Sequence, residues 1–225
     1  MARLCVAQLP MRILPLVMET VSDLGLVSAV LAGISLSAAS GLRVFIPILA
    51  LGLAGRYELL PVSDQFAWMT SDPVLLIVGI AALLEAGSYY VPLVDNLLDL
   101  LATPAALAGG TVIVASLLPE MNTAAQWGTA AVLGGGTAGI VQGSTVLARG
   151  LSTASTGGLG NAVLATGETG GSLLAVLLAI ALPITFGLIV IVALISLLTW
   201  SILTLRARKL RRVAQSDHAK PVPPA

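Results

Sequence analysis

Residues Ser152 to Gly171 read STASTGGLGNAVLATGETGG, a run of small, hydroxylated and glycine residues between two long apolar segments. The stretch is too polar to face lipid. Non-helical backbone survives at membrane depth only where protein or a wet cavity covers its N–H and C=O groups. A loop here is therefore interfacial or a re-entrant lining. Ser155 and Thr156 are positioned to cap a short helix beginning near Gly158, with Gly157 beside them and Asn161 able to donate or accept. The bare N–H groups of such a helix start favour an anion or a carbonyl oxygen. Arg149 and Glu168 bracket the segment as a possible pair.

The surroundings put this loop in a bilayer. The chain has 225 residues, of which 57% are hydrophobic and 10% charged, and its mean hydropathy is +1.00. Soluble domains carry roughly 25% charged residues. The formal charge is zero, yet Arg206, Arg208, Lys209, Arg211 and Arg212 crowd the tail after an apolar segment. That pattern marks a cytoplasmic side. Cys5 and His218 are the single cysteine and histidine. They exclude a disulfide framework, a thiolate metal site and an intramembrane histidine centre.

Working outward, Leu24 to Ala54 is apolar except at Ser40-Gly41-Leu42-Arg43. As one helix it would run about 46 Å, against a hydrocarbon layer of about 30 Å. Gly41 and Pro47 are the places to break it. Two readings stand: two helices meeting at a polar bend, or one tilted, kinked helix. Residues 55 to 72 form a polar, aromatic connection along the surface, and Pro73 to Val91 spans with Glu85 past its middle. An ionisable group at that depth is a functional candidate, or is hydrated near the interface. Asp95, Asp99 and Thr103 share one helix face at i, i+4 and i+8. They are solvated carboxylates, or hold a cation or shared proton between them.

Pro104 to Leu118 and Thr123 to Ala148 follow as apolar helices. In the second, Ala131, Gly135, Gly139 and Gly143 repeat every four residues, a small-residue stripe for packing within the monomer or across a homo-oligomer seam. Ser172 to Leu205 is read as one long helix kinked at Pro183 and Gly187. Residues 1–23 form an N-terminal extension with a cleaner start at Met18, 24–205 the membrane domain, and 206–225 a basic, then proline-containing, cytoplasmic tail. Arg3 and Arg12 favour the cytoplasm for the N-terminus too, so an even number of crossings is expected, with the central loop opening opposite the tail.

The fold class is all-α: a polytopic helical membrane protein with four to six apolar helices and one or two re-entrant or broken segments. SGLRVFIP at 40 to 47, LLEAGSYYVPLVDNLLDLLATP at 83 to 104 and STASTGGLGNAV at 152 to 163 occur in the order that resembles a bacterial membrane family, domain of unknown function 4126. The resemblance implies an integral membrane location and no assigned reaction. Three functions remain in order: a small-solute or ion transporter, a non-catalytic scaffold or assembly factor, and a metal-dependent enzyme on Asp95 and Asp99. The chain has no lysine before the tail and neither phosphate-loop nor dinucleotide fingerprint. No cofactor, metal site or nucleic-acid partner is expected; the partners expected are lipid and a small solute or ion.

Overall fold

The computed structural model describes the backbone at residues 25–88, 92–119 and 121–218, and the side chains there apart from 88, 92–100, 205 and 207–218. The N-terminal extension, the Met18 start, Arg3, Arg12 and the last residues of the tail lie outside it. Every regular element among the described residues is helical. Helix α1 spans Gly25–Ser40 and α2 spans Phe45–Arg56. After a 3-10 segment, Asp64–Thr70, come α3, Asp72–Ser88, and α4, Pro92–Leu117. Then follow α5, Thr123–Thr156, α6, Asn161–Ala181, and α7, Pro183–His218.

The break in the first apolar run is a reversal. The ends of the run meet again, since Gly25 and Leu26 share one cleft with Leu59 to Asp64, and Ile180 and Pro183 close it. At the other end, Ser40 abuts Gly109 and Gly41 lies on the α5 backbone. Helix α1 is about 24 Å long and α2 about 18 Å, so neither crosses a layer of about 30 Å. They form a re-entrant hairpin that enters and leaves at one end of the bundle. Gly41 makes the turn possible, because a Cβ there would stand 2.6 Å from the Ala138 carbonyl oxygen and from Val141 Cβ. Pro47 sits in the first turn of α2, where its missing N–H would have had no helical partner.

From the hairpin mouth α3 runs to the far end, α4 returns, α5 crosses again and α6 comes back. The α4–α5 crossing is glycine on glycine. A Cβ on Gly134 would lie 2.1 Å from the Gly110 carbonyl oxygen, so the two backbones are in contact. Residues Ala131–Gly135 of α5 are wound as a π-helix at this crossing. The wider turn shifts the phase of the helix face. Gly135 lies against Thr111 and Leu107, and Gly139 against Leu107, while an added Cβ on Gly143 would meet nothing within 4 Å and Ala131 is exposed.

Four sequence expectations change. The run from Ser152 to Gly171 is not a loop: α5 continues to Thr156, α6 starts at Asn161, and only four residues turn between them. The hydroxyls are satisfied within the helices by donating back to carbonyls, Ser155 to Leu151, Thr156 to Ser152 and Thr166 to Ala162. The last apolar run is two helices, because Pro183 removes a donor and pushes Leu182 out of helical geometry, at φ −136 and ψ 57. Gly187 then rests on Leu31 and α7 packs back along α5. From α3 to α7 the chain thus runs the length of the bundle five times. The hairpin mouth and the basic end of α7 lie at opposite ends, and the Gly157–Gly160 turn shares the tail's end rather than facing it. Finally, Pro104 does not start a helix but lies inside α4.

The lengths fit a membrane. Thr123–Thr156, Asn161–Ala181 and Pro183–Thr204 are each long and apolar enough to cross one, and Asp64–Thr70 with Asp72–Gly87, bent by 63°, would make a fourth. The chain is an all-α, polytopic helical membrane protein. Its core is narrow, built on Leu36, Leu51, Ile113 and Val114, all fully buried. Much of the remaining apolar surface, including Leu83, Leu177 and Val192, faces outward, as lipid contact requires.

Candidate functional site

Reversing a helical hairpin inside a bundle leaves α2 with unpaired N–H groups at its start, in a place with little water. Glu85 of α3 supplies the acceptor. Its two carboxylate oxygens accept from Val44 N–H at 2.8 Å and Phe45 N–H at 3.0 Å. A carboxylate at a helix start also meets the positive end of the helix dipole. The residue read as a pathway or hydrated carboxylate is the cap of the re-entrant helix.

Arg43, at the hairpin tip, has a side chain that is 0% exposed. Its Nε donates to Thr169 Oγ1 at 2.9 Å and its Nη2 to the Ala165 carbonyl at 2.7 Å. The same Nη2 stands 3.5 Å from Glu168 Oε2. Arg149 closes on the same carboxylate from α5, through Nε to Oε1 at 3.2 Å and Nη2 to Oε2. Glu168 is 9% exposed. The bracketing pair suspected from sequence therefore exists, and Arg43 joins it. With Glu85 at the start of α2, two arginines and two glutamates stand around the tip, a formal charge of zero that offsets the cost of burying charged side chains.

The hairpin tip, α3, α5 and α6 each contribute one charged side chain. Ser40 ends α1 just before the tip, fully buried, and its hydroxyl has no hydrogen-bond partner among the described residues. A cleft of 380 Å³ between α5 and α6 reaches the cluster, lined by Leu42, Ser144, Thr145, Ala148, Leu164 and Glu168 among others.

The other candidates lie apart. Ser155 and Thr156 are exposed in the last turn of α5, so they close a helix instead of starting one. Gly157 and Gly158 adopt φ 65 and φ 94, the left-handed geometry that stops α5 and turns the chain. Asn161 opens α6 and donates to Thr153 Oγ1 at 3.2 Å. This turn lies exposed on the outside of the bundle and does not dip between its helices. Thr103 is exposed on α4, and the side chains of Asp95 and Asp99 lie outside the described residues. Among the described residues no group of three or more His, Cys, Asp or Glu side chains could hold a metal ion.

Sequence reasoning passed over Thr169 and the Ala165 carbonyl. Both follow once α6 is known to be helical, since Ala165, Glu168 and Thr169 then share one face at i, i+3 and i+4. It also missed that Ser37 donates to the Gly110 carbonyl at 3.0 Å and Ser172 to the Ala39 carbonyl at 3.2 Å, fastening α1 to α4 and α6.

The model of the family described as Domain of unknown function (DUF4126) matches residues 30–203, from within α1 to the last apolar turns of α7. The chain belongs to the DUF4126 family. The match takes in the hairpin and all four charged residues of the cluster. No curated protein and no solved structure matches the chain. The function of this DUF4126 protein therefore has to be argued from the site itself.

Proposed function

We propose that this DUF4126 protein moves a small solute or ion across the bacterial inner membrane, with the tip of the re-entrant hairpin as the selective point of the path. One observation carries the reading: Arg43, Arg149 and Glu168 meet at the tip of a hairpin whose second, short helix starts inside the bundle on the Glu85 carboxylate. Ionisable groups at such depth are costly and mark ion or substrate paths in membrane proteins. Interrupted helices whose ends point at a buried site are a recurring transporter device. The hairpin is held by side chains from α3 and α6, so a rearrangement of the Glu168 cluster would move the tip. With the basic tail cytoplasmic, the hairpin enters from the outer face and the α5–α6 cleft lies toward the inner one.

The test is flux into proteoliposomes across a panel of ions and small metabolites, comparing wild type with Glu168→Gln. Solute-dependent flux that the variant loses while it remains folded supports transport. A folded wild-type protein that moves nothing in the panel refutes it.

A second reading, a scaffold that gathers other membrane helices, draws on a different face. An added Cβ on Gly136, Gly143 or Gly150 of α5 would meet nothing within 4 Å, so a seven-residue glycine spacing faces outward. Disulfide crosslinking of Gly143→Cys in native membranes tests it. Recovery of monomer alone counts against it.

A further inference from the structure

The proposed transport leaves the charge of the solute open, and the cluster narrows it. Glu85 is engaged with the backbone of α2. That leaves Arg43 and Arg149 converging on one carboxylate, Glu168, with side chains 0%, 7% and 9% exposed. A planar guanidinium fork fits a carboxylate's two oxygens, as Arg149 does on Glu168, and Arg43 adds a second positive charge with Nη2 at 3.5 Å, which together make a preorganised carboxylate receptor whose present occupant belongs to the protein. Glu168 is also the member of the cluster that the 380 Å³ cleft reaches. A cation entering there would meet Glu168 with two guanidiniums already bound behind it. A small carboxylate would instead meet groups already arranged for it.

We infer that Glu168 is an internal, displaceable ligand, and that a small monocarboxylate entering between α5 and α6 takes its place between Arg43 and Arg149. The inference rests on the transport reading and makes the solute an organic anion. Exchange of one carboxylate for another preserves the charge balance at the guanidiniums, so the bound state avoids the penalty of an uncompensated buried charge. Glu168 moves out along α6 toward the cleft when the solute is in, and returns when it leaves. The hairpin tip, tied to Ala165 one turn before Glu168 and to Thr169 directly after it, follows that exchange.

Purified full-length protein in nanodiscs tests this with formate as the probe and chloride at equal ionic strength as the control. Wild type is expected to bind formate saturably by calorimetry, and Arg149→Gln to weaken that binding about tenfold or more, the scale of one lost charge-assisted contact. Glu168→Ala is expected to melt lower than wild type and to be restored by formate but not by chloride. If Glu168→Ala does not fold, Glu168→Gln serves, with tighter formate binding than wild type expected because the internal competitor is neutral. Restoration by chloride to the same extent, or restoration without saturable binding to wild type, overturns the inference and leaves a structural ion pair. Flux of only neutral or cationic solutes, without formate binding, overturns it while transport stands. Formate binding without flux of any solute overturns transport and retains the receptor.

Discussion

Replacing Glu85 by glutamine tests the claim that this carboxylate holds the hairpin together. The substitution keeps shape and volume. The amide oxygen can still accept one of the two N–H groups now bound at 2.8 and 3.0 Å, but its NH2 faces the other as a donor against a donor. One buried N–H loses its partner, at about 1–3 kcal/mol. The loss of negative charge at the helix start removes up to about 2 kcal/mol more. The sum, about 1–5 kcal/mol, falls on local opening of the tip, because the rest of α3 keeps its packing. Hydrogen exchange in nanodiscs is the assay. The amides of Val44 and Phe45 should exchange about fivefold faster or more, at roughly 1.4 kcal/mol per tenfold, with the Gly110–Gly134 crossing unchanged. Unaltered exchange at these two amides in a folded variant would refute the capping role and the hairpin's dependence on α3.

Other expectations follow from the same geometry. Gly134→Ala puts a carbon 2.1 Å from the Gly110 carbonyl oxygen, so the α4–α5 crossing must open; a loss of about 1–3 kcal/mol is expected by unfolding in mixed micelles, whereas Gly143→Ala, with open space around it, should be neutral or slightly stabilising. A Gly134→Ala protein as stable as wild type would disprove the backbone contact. Arg149→Lys cannot reproduce the Nε and Nη2 contacts to Glu168, and a melting temperature equal to wild type would show that the fork geometry is irrelevant. Asp72→Asn removes the bridge to Arg56 at the hairpin mouth, whose side chains are 81% and 43% exposed; the change should be under about 1 kcal/mol by the same unfolding measurement, and a larger loss would mean that this pair anchors the hairpin.

Composition and hydrophobic runs alone settle the solvent of this chain. So many apolar residues and so few charges can be buried only with lipid as part of the surroundings, and a lipid solvent makes helices the form of every long apolar segment. The position of the first break was legible for the same local reason, since Gly41 admits close backbone approach and Pro47 requires a helix start within a turn before it. The Arg149–Glu168 pair was legible too, as opposite charges flanking one segment. The nature of that segment was not. Glycine, serine and threonine read as loop by aqueous propensity, but where water is scarce the backbone must satisfy itself, and the hydroxyls fold back onto the carbonyls one turn earlier.

Only the tertiary structure decided what the first break means and which charges meet there. A bend and a reversal have the same local signature; packing of Gly41 on α5 and of Gly109 on Ser40 makes it a reversal. Glu85 finds Val44 and Phe45 some forty residues away in the chain, and Arg43 finds Thr169 at 126 residues' separation. Spacing along a helix reports what shares a face within about two turns and carries no information about which face of another helix comes opposite. That choice belongs to the glycine crossings and the proline break at Leu182. They determine how closely the helices approach, how many times the chain crosses, and hence which buried charges have a neighbour to balance them.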